Sequence, residues 1–543
     1  MYFNKAGNIV TALSLLFSVF SLTSCGPKGQ HTGSFFFEDP FPKKLSNIIK
    51  PIDTGSRKIL SVADNVRYTY TLNNFQSLWT TEKYRPGDAA AKLILELEDI
   101  QYDGINPSRY RLSDLKNLKE KLDTAKNVTL DDAVAFDTTL THFYLAAAKD
   151  LLVGKISPKK ADSLWYHVND TVWDAPRILA HAEGVYPSLD LFRSKVPTYT
   201  LLRRAYKLFT TLADDTLFNG ARSGIHYMLR PDSGMIENVN WVIKAELPWV
   251  EPVPNDTVSE ERQMVEAYQY YNNLKITGKL DSATYKMLAT APDSFLEKIG
   301  ANMERVRWMQ KQFGDLYVVV DVPLMELFLR RDSGNAMHMR TVVGRPERQT
   351  PSLFATMANI VINPPWGIPP TILKNDVLPG MQKSNKYLAK KGFKVYDRKG
   401  KRVNASSINA DNYRKYDFKQ DPGDDNALGY VKFNLPNPWD IYLHDTPHRG
   451  DFGNRNRALS SGCIRLQRPQ ELAIYILSEL EKKNYTPGKL DTLIETHKTR
   501  WEVLKTKIPV HIAYLTAFED TTGHLRYIRD IYNRDQKLIS LLR

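Results

Sequence analysis

The sequence predicts a multidomain α+β protein with an N-terminal helical scaffold, a small helical module and a β-rich C-terminal domain that carries an inserted lid. Three observations predict this class. A chain of 543 residues is too long for a single hydrophobic core. Apolar residues recur at helical spacing up to about residue 290, and short β-branched runs replace them from about residue 315. A content of 42% hydrophobic and 11% aromatic residues indicates a folded chain.

The first 25 residues (1–25) have the parts of an export signal with a lipid-attachment site. Lys5 precedes an apolar run at 9–22 that is too short to span a bilayer core of about 30 Å. The run ends in Leu-Thr-Ser-Cys, which resembles the bacterial lipobox, so we expect Cys25 to be lipidated and to anchor the protein to a membrane. This predicts a lipoprotein of the bacterial cell envelope that faces the periplasm, and Gly26 after the cysteine favours the outer membrane. The alternative is a non-cleaved anchor with an incidental cysteine.

The remaining chain divides by composition and periodicity. Residues 26–58 are rich in Gly, Pro and Lys and predict a linker. Residues 59–232 predict the helical scaffold domain, because apolar residues recur at i, i+3 and i+4 and no cluster of titratable residues indicates catalysis. The small helical module is expected at 233–292 and the β-rich domain at 300–543. Within that domain, the polar stretch at about 371–429 is longer than an ordinary loop and predicts the lid.

The small module has a helix–turn–helix pattern. Residues 258–274 place apolar side chains on one face, Gly278 marks a turn, and Asp281 or Ser282 can cap a second helix. With Thr284 and Leu288, this arrangement resembles the second half of peptidoglycan-binding repeats. The alternative is a module that serves only for packing.

Short β-favouring runs bounded by turn residues predict the C-terminal domain. The predicted strands lie at 317–322, 324–331, 337–343, 360–363, 431–434, 441–443 and 510–515. A helix is expected at 469–482, after the second cysteine of the chain.

A net charge of +13 and a pI near 9.3 favour anionic partners. Nucleic acid is not expected, because the protein is predicted to be exported and its Lys and Arg residues form no dense run. Anionic cell-wall polymers or lipid headgroups fit better, and a merely solvated basic surface is the alternative.

His444 and Cys463 are the candidate catalytic pair. His444 follows the strand-favouring residues 441–443, which places it at a strand end beside a cleft. Cys463 stands in Ser-Ser-Gly-Cys-Ile-Arg-Leu, nineteen residues later, where small residues allow the backbone to aim N–H groups at an oxyanion. A histidine within hydrogen-bond reach would convert the thiol to a thiolate–imidazolium pair and later protonate the leaving amine.

Other interpretations of these residues stay open. Asp445, Asp451 or a backbone carbonyl could accept a hydrogen bond from the second ring nitrogen of His444. His448 competes as the base, but it lies in a polar loop. We expect no metal, because no Cys-x-x-Cys or His-Glu-x-x-His pattern completes a zinc site. A lone cysteine such as Cys463 can also be an inert core residue.

The segment 444–466 resembles the signature of L,D-transpeptidases with a YkuD-type catalytic domain. That signature reads His-Gly-Thr and then Ser-His-Gly-Cys-Ile-Arg or Asn; here Asp445 replaces the first glycine and Ser461 replaces the second histidine. Further stretches resemble the larger subgroup that has a helical scaffold, a peptidoglycan-binding-like module and a lidded catalytic domain. These are Asn-Met-Glu-Arg at 302–305, Val-Gly-Arg-Pro at 343–346, Asn-Pro-Pro-Trp at 363–366 and Tyr-Val-Lys-Phe at 430–433.

The resemblance implies peptidoglycan L,D-transpeptidase chemistry, a cysteine acyltransferase reaction. Cys463 would attack the carbonyl of an L-centre residue in a donor peptide stem, and a terminal D-amino acid would leave. His444 would act as the base, oriented by the carbonyl of Asp445. An amine of a neighbouring stem would then resolve the thioacyl-enzyme and form the cross-link, with a consequence for cell-wall organisation and cell shape.

Three neighbouring positions receive supporting roles from the same resemblance. Backbone N–H groups around Gly462 and Cys463 would bind the oxyanion, and Ser461 would only partly replace the missing histidine. Arg465 would bind a substrate carboxylate through its planar charge, with a surface ion pair as the alternative.

The resemblance also implies the partners. We expect peptidoglycan peptide stems, the membrane through the lipid anchor, and other cell-wall synthesis proteins, but no cofactor and a monomeric state. Carbapenems would acylate Cys463. The alternatives are an L,D-carboxypeptidase, an enzyme that attaches a protein to the wall, and a lipid-anchored wall-binding protein with an inactive catalytic domain.

Two other cysteine enzyme classes fit the sequence less well. Sortases separate His from Cys by more residues than the nineteen found here, and their Arg lies on a later strand. In papain-like peptidases the Cys precedes the His, whereas this chain has the reverse order.

Overall fold

The computed structural model describes most of the chain beyond the predicted signal. The described residues are 39–52, 61–167, 172–182, 185–225, 233–253, 257–332, 334–384, 386–404, 407–409 and 412–543. The predicted signal peptide and the lipidation site Cys25 lie outside these ranges. In the described part of the chain, no helix combines the length and apolar character needed to cross a membrane.

Helices dominate the first three hundred residues. The helices are α1 Pro40–Ile48, α2 Val62–Leu72, α3 Asp88–Asp99, α4 Leu112–Thr124, α5 Leu130–Val153, α6 Pro158–Ala161, α7 Ala175–Ala180, α8 Pro197–Asp214, α9 Thr216–Ser223, α10 Ser233–Glu246, α11 Glu260–Tyr271, α12 Ser282–Leu288, α13 Pro292–Arg307, α14 Pro370–Ile372, α15 Leu378–Lys383, α16 Tyr387–Lys390, α17 Pro469–Tyr475, α18 Pro487–Glu495 and α19 Asp535–Leu542.

Strands dominate the C-terminal half. The strands are β1 Trp165–Tyr166, β2 Leu316–Asp321, β3 Glu326–Arg331, β4 Gly334–Gly344, β5 Ser352–Ile362, β6 Trp366–Gly367, β7 Phe393–Asp397, β8 Arg402–Val403, β9 Tyr416–Gln420, β10 Val431–Asn434, β11 Leu443–His444, β12 Ala458–Ser460, β13 Ile464–Leu466, β14 Arg500–Ala513, β15 Ala517–Glu519 and β16 Leu525–Tyr527. A helical N-terminal half and a β-rich C-terminal half confirm the predicted multidomain α+β class.

The main sheet closes on itself. Its strands follow the order β5-β10-β11-β13-β4-β3-β2-β14, and β14 pairs with both β2 and β5. The side chains that face the interior, such as Phe433, Leu443 and Ile464, are fully buried. The catalytic candidates therefore lie on a closed, tightly packed barrel rather than on an open sheet.

Two strands extend further than the sequence predicts. The predicted strand at 360–363 is the end of β5, which begins at Ser352, and the predicted strand at 510–515 is the end of β14, which begins at Arg500. The missed residues include Ala, Lys and Glu, whose β propensity is low, and the nine cross-strand pairs between β14 and β5 outweigh that propensity.

The scaffold has a hydrophobic core of its own, built around α5. Its first element corrects the predicted linker 26–58, because Pro40–Ile48 is helical and its Phe41 and Leu45 are fully buried in this core. The helix is short and its apolar residues are few, so its period is lost among the neighbouring Pro and Lys residues. The chain therefore enters the scaffold before residue 59.

Helices α8 to α12 pack in the same hydrophobic cluster as the barrel, so the two cores divide before the predicted boundary at 232. In the small module, the buried side chain of Gln269 holds the turn: its oxygen accepts from the N–H groups of Thr277 (2.7 Å) and Gly278 (3.0 Å). Its amide group donates to Thr284 at 2.9 Å. Gly278 has φ +62°, which explains the glycine.

A buried charge cluster joins the scaffold to α13. Asp103 is fully buried and accepts hydrogen bonds from Arg193 at 2.9 and 3.0 Å and from the Tyr199 hydroxyl at 2.9 Å. Arg307 of α13 donates to the backbone carbonyl of Asp103. Because both partners of each pair are buried, the cluster fixes the angle between the scaffold and the helix that leads into the barrel.

The predicted lid stretch at 371–429 has a small sheet and core of its own. Strands β7, β8 and β9 of this stretch form a four-stranded sheet with β6, which lies just before it, in the order β6-β9-β7-β8. Leu373, Val377, Val395 and Phe418 belong to a separate hydrophobic cluster beneath it. This part of the chain therefore folds as a compact layer beside the barrel.

Candidate active site

The pairing of β11 with β13 positions the candidate catalytic residues. The two strands run parallel, with Leu443 opposite Ile464 and His444 opposite Arg465. Leu443 and Ile464 point into the barrel core and have no exposed surface. Because successive side chains alternate between the faces of a strand, His444 and Arg465 project from the outer face of the barrel.

Cys463 and Tyr442 precede these two strands by one residue and complete the group. Tyr442 lies two residues before His444, and Cys463 lies two residues before Arg465. The Tyr442 ring lies 5.5 Å from the ring of His444. Cys463, His444 and Arg465 line one cavity of about 810 Å³. The structure therefore brings the three residues of the motif to a single site.

The ring of His444 is held by its own neighbour. Its Nδ1 lies 2.5 Å from the backbone carbonyl oxygen of Asp445. A carbonyl can only accept, so Nδ1 carries the proton and Nε2 is left as the basic nitrogen. Burial, together with the nearby charge of Arg465, lowers the pKa of His444 to about 3. The imidazole is therefore neutral at physiological pH.

The carboxylate of Asp445 hydrogen-bonds to residues other than His444 and holds the local backbone. It accepts from the backbone N–H of Tyr430 at 2.9 Å and from Arg449 at 2.9 Å, and burial raises its pKa. The side chain thus fixes the backbone whose carbonyl holds His444. Asp451, the other acid considered from the sequence, pairs with Arg465 at 3.0 Å.

The thiol of Cys463 is uncharged in this arrangement. Its Sγ donates to the carbonyl of Asp440 at 3.6 Å. Burial raises the pKa of Cys463, although hydrogen bonds from the backbone N–H and hydroxyl of Tyr442 and the charge of Lys432 oppose that effect. Since the shifts at Cys463 and His444 both favour neutral forms, the predicted thiolate–imidazolium pair is not the resting state. Desolvation of the site is the reason.

This resting state makes a prediction about alkylation. In a Cys25→Ser variant, which leaves Cys463 as the chain's single thiol, the rate constant with iodoacetamide should be low at pH 7 and still rise above pH 9. The reason is that only the thiolate reacts and burial raises the pKa of Cys463. Mass spectrometry of timed samples gives the rates. A rate that is constant between pH 5 and 8 would indicate a preformed ion pair and contradict the prediction.

The polar groups of the loop before Cys463 hydrogen-bond to one another. Gly462 has φ +120°, and its N–H donates to Ser460 Oγ at 3.1 Å. Ser460 Oγ in turn donates to the carbonyl of Cys463 at 2.6 Å. The amide of Gly462, predicted as an oxyanion donor, is therefore already engaged in this conformation. The strained backbone at Gly462 turns the chain sharply and presents the next residue to the cavity.

Ser461 connects the loop before Cys463 to the lid. Arg348 donates to Ser461 Oγ at 2.9 Å and to Asp376 of the lid at 3.0 Å, and Arg345 lies 3.5 Å from the same carboxylate. Ser461 thus takes part in a polar link between the loop and the lid, which is a contact that a motif of adjacent residues does not reveal.

Two cations flank the sulfur. Lys432 lies opposite His444 across the β10–β11 pair, and its Nζ lies 4.0 Å from the centroid of the Tyr442 ring. Burial lowers the pKa of both Lys432 and Arg465, and the negative charge of a Cys463 thiolate would oppose this effect in each case. Each of the two is therefore a partly desolvated cation close to Cys463.

The remaining walls come from the lid and from the scaffold. Trp366 of β6 and Phe393 of the lid line the cavity, and so does Tyr166 of β1, which pairs with β5. Tyr166 stacks on Trp439 with ring centroids 3.8 Å apart. His448, the rival base, also lines the cavity. Within the described ranges, no group of three or more His, Cys, Asp and Glu side chains is arranged to hold a metal ion.

Two family models match the chain. Residues 315–510 match the model of the YkuD L,D-transpeptidase catalytic domain, and residues 64–205 match the model of a scaffold domain. Residues 315–510 are thus an L,D-transpeptidase catalytic domain by this match. A Haemophilus influenzae protein named "Putative L,D-transpeptidase" is 27% identical over 454 residues, which cover 80% of this chain and 89% of that protein.

Solved structures of L,D-transpeptidases resemble the chain only in part. One from Mycobacterium smegmatis has 12% identity and a TM-score of 0.18, covering 36% of this chain and 58% of its own length. One from Enterococcus faecium has 12% identity and a TM-score of 0.19, covering 41% of this chain and 64% of its own length. This chain therefore spans about three-fifths of each solved chain, and scores this low carry no argument about the fold.

The L,D-transpeptidase catalytic domain depends on a glycine that the sequence motif does not include. Gly429 has φ +59°, and a Cβ at this position would lie 2.5 Å from Cγ of the buried Asp445. A Gly429→Ala variant should therefore displace Asp445 and with it the carbonyl that holds His444. We expect the catalytic rate to fall by roughly tenfold or more, since small misplacements of catalytic groups are costly.

The control is Gly400→Ala, because Gly400 has φ +80° and no atom near its ideal Cβ. It carries the backbone strain without the clash. Steady-state rates and thermal midpoints of the two variants separate the effects, and equal rates for both variants would contradict a role for the Gly429–Asp445 contact.

Sequence reasoning missed several residues of this site. Tyr442 and Lys432 could have been found by strand alternation, because they share the outer face with His444 once the strands are paired. Arg348 and Asp376 gave no signal, because each is an ordinary charged residue in a polar stretch and only the fold brings them beside Ser461.

Proposed function

We propose that the protein is a peptidoglycan L,D-transpeptidase that forms cross-links between peptide stems through a thioacyl-enzyme on Cys463. One observation carries this proposal: the β11–β13 pairing holds a thiol and an oriented neutral imidazole, Cys463 and His444, on the same wall of a large cavity. A cysteine nucleophile with an adjacent base is the arrangement that acyl transfer requires.

The proposed reaction begins with both groups neutral. As Sγ of Cys463 attacks the carbonyl carbon of the donor peptide, its proton passes to Nε2 of His444, and the carbon–sulfur bond forms. The tetrahedral oxyanion then collapses, the C–N bond breaks, and His444 returns the proton to the departing amine of the D-amino acid. An acceptor amine repeats these steps in reverse order, releases the thiol and leaves a new amide bond.

The charges around the sulfur support the transition state. Lys432 and Arg465 place positive charge beside Cys463, where negative charge develops, and a partly desolvated site strengthens that interaction. The hydroxyl of Tyr442 already contacts the sulfur and is a candidate oxyanion donor. The backbone N–H of Cys463 is the second candidate, since Gly462 is engaged within the loop.

Arg465 has an ion-pair partner and still lines the cavity. Its pairing with Asp451 at 3.0 Å orients the guanidinium, and its side chain is 22% exposed. We propose that a substrate carboxylate binds at the exposed edge of this guanidinium, as the fork geometry of Arg allows. The donor stem would then be held by its terminal carboxylate close to the thiol.

The location follows from the N-terminal sequence rather than from the described residues. We propose that the protein is a lipoprotein, anchored through Cys25, that acts on the wall from the periplasmic face of the envelope, with no cofactor. Metabolic labelling with an alkyne-bearing fatty acid tests this: the wild type should be labelled, and a Cys25→Ser variant should not.

The reaction itself is tested with purified full-length protein and muropeptides that carry tetrapeptide stems ending in D-alanine. We expect release of D-alanine and formation of cross-linked dimers, both followed by liquid chromatography with mass spectrometry. A second substrate with an acetylated side-chain amine should give release without dimers. D-Alanine release without dimers from the unmodified substrate would favour the carboxypeptidase alternative, and no release at all would overturn the proposal.

A carbapenem tests the thiol alone. By the family resemblance, the drug should add covalently to Cys463, and the intact mass of the protein should increase by one drug molecule. A Cys463→Ala variant should show no increase, and an identical adduct on that variant would place the reactive group elsewhere.

A further inference from the structure

A second cavity, of about 870 Å³, lies between the small module and the barrel, and the proposed chemistry does not use it. Its walls come from the end of α11, from α13, from the β2–β3 turn and from the segment around β12 and β16. The cationic side chains that line it are Lys298, Arg340, Arg455, Arg457, Arg526 and Arg529. The two acidic side chains that line it are Glu326 and Asp530.

The two acids are committed to other partners. Glu326 accepts from His338 at 2.7 Å and lies 4.0 Å from Arg526. Asp530 accepts from the backbone N–H groups of Arg534 at 3.0 Å and Asp535 at 2.8 Å, at the start of α19. Glu326 also acts on the charge of Arg457, and Asp530 on that of Lys298, but two carboxylates face six cationic side chains.

Those cations are anchored on neutral groups instead. Lys298 donates to the carbonyl of Ile528 at 3.1 Å, and Arg340 donates to the carbonyl of Phe452 at 3.2 Å. Within the described part of the chain, neither has an acidic side chain within salt-bridge distance. A carbonyl fixes the position of a cation without cancelling its charge, so both side chains are held in place and keep their charge. Lys298 also lies within electrostatic range of Asp535 and Asp530, whose carboxylates favour its charged form.

Arg457 lies at the cavity wall, close to other cations. It is buried and donates to the carbonyls of Thr341 at 3.0 Å and Met325 at 2.9 Å. Burial lowers the pKa of Arg457 to about 10; the charge of Glu326 opposes this effect, while the charges of Arg340 and Arg526 add to it. The cavity therefore concentrates like charges that an anion would stabilise.

We propose that this cavity is an accessory binding site for a peptide that carries two or more carboxylates. Apolar side chains between the cations, including Leu274, Met287 and Phe295, line the same cavity and suit the aliphatic parts of a peptide better than a uniform phosphate chain. The identification of the natural ligand with acidic wall peptides rests on the proposed function. Binding of an acidic peptide does not, because it requires neither Cys463 nor His444.

The site also lies behind the catalytic loop. Pro346 and Ala458 line the accessory cavity, while Arg348 and Ser460, two residues further along each segment, line the catalytic cavity. The two cavities thus flank the same pair of backbone segments. A peptide bound in one is held close to the other.

The binding test uses full-length protein and a labelled acetylated tri-glutamate, followed by fluorescence anisotropy at fixed ionic strength. An Arg340→Gln/Arg529→Gln double variant should bind at least tenfold more weakly. The matched control is Arg398→Gln/Arg402→Gln, which removes the same charge from exposed positions outside both cavities. The control should bind like the wild type, and equal weakening in both double variants would overturn the proposal.

Further variants keep the test independent of folding and of catalysis. Ser294→Trp places bulk at an exposed cavity position without changing charge, and it should also weaken binding at least tenfold. Cys463→Ala should bind the peptide like the wild type even though transfer is lost, so failure of the proposed reaction and failure of this site are distinguishable. Wild-type affinity in Ser294→Trp would overturn the proposal.

Two competing ligands test the chemical class. Acetylated tri-glutamine, which has the same shape without the side-chain carboxylates, should compete at least tenfold more weakly than tri-glutamate. Tripolyphosphate should also compete more weakly, because it makes no use of the apolar wall. Equal competition by tri-glutamine or tighter competition by tripolyphosphate would contradict a carboxylate-bearing peptide as the ligand.

Discussion

Replacing Cys463 by Ala is expected to reduce release of D-alanine from tetrapeptide stems to the background rate, a loss of roughly 10⁴-fold or more, because no thioester can form. The cavity wall should survive this change, since the thiol is held only by a long hydrogen bond to the carbonyl of Asp440 and by contacts with Tyr442, which stays fixed by the pairing of the adjacent strand. Stopped assays with chromatography of the released amino acid give the rate. An unchanged thermal midpoint shows that the fold is intact.

His444→Ala should keep the thiol but lose about 10²–10⁴-fold in rate, which is the usual size of a general-base contribution. His448→Ala is the matched control, because His448 lines the same cavity but lies in the loop beyond the strand end. A larger loss for His448 than for His444 would contradict the assignment of the base.

A second large effect is expected in stability, at the cluster that joins the scaffold to α13. Asp103→Ala removes the carboxylate that pairs with the buried Arg193 and accepts from Tyr199. Breaking a buried ion pair from one side leaves an uncompensated charge, which costs about 3–5 kcal/mol. We expect a clear fall in the denaturant midpoint, measured by circular dichroism and tryptophan fluorescence.

Two further variants serve as controls for Asp103→Ala. Asp103→Asn keeps the shape and an acceptor oxygen and should lose less stability than Asp103→Ala. Asp114→Ala removes one partner of the exposed Arg111 pair, where the side chains are 58% and 73% exposed, and should change stability by about 1 kcal/mol or less. If Asp103→Ala and Asp114→Ala shifted the midpoint equally, the buried cluster would contribute no more to the free energy of unfolding than an exposed ion pair.

The sequence was informative where chemistry is local. His444 and Cys463 stand in short segments whose neighbouring residues set a strand end and a tight turn. The local structure at both residues could therefore be predicted without the fold. The class of each half of the chain could also be predicted, because helical and strand periodicities differ over long windows.

The rest of the site depends on contacts between distant segments. Lys432 and Tyr442 become neighbours only through the pairing of β10 with β11, and the link from Arg348 to Asp376 spans the lid boundary. The charge state of the thiol could not be predicted either, because it depends on how deeply the folded walls bury Cys463. Motif reasoning assumed an ion pair, whereas desolvation favours the neutral forms.

The closure of the barrel has a consequence for a protein that we propose to be anchored to a membrane. Because β14 hydrogen-bonds to both β2 and β5, the ring of eight strands offers no continuous row of unpaired backbone groups to a neighbouring copy. Sheet margins of that kind are templates for intermolecular strand addition and aggregation. Neighbouring molecules can therefore stay at high surface density without polymerising through this sheet.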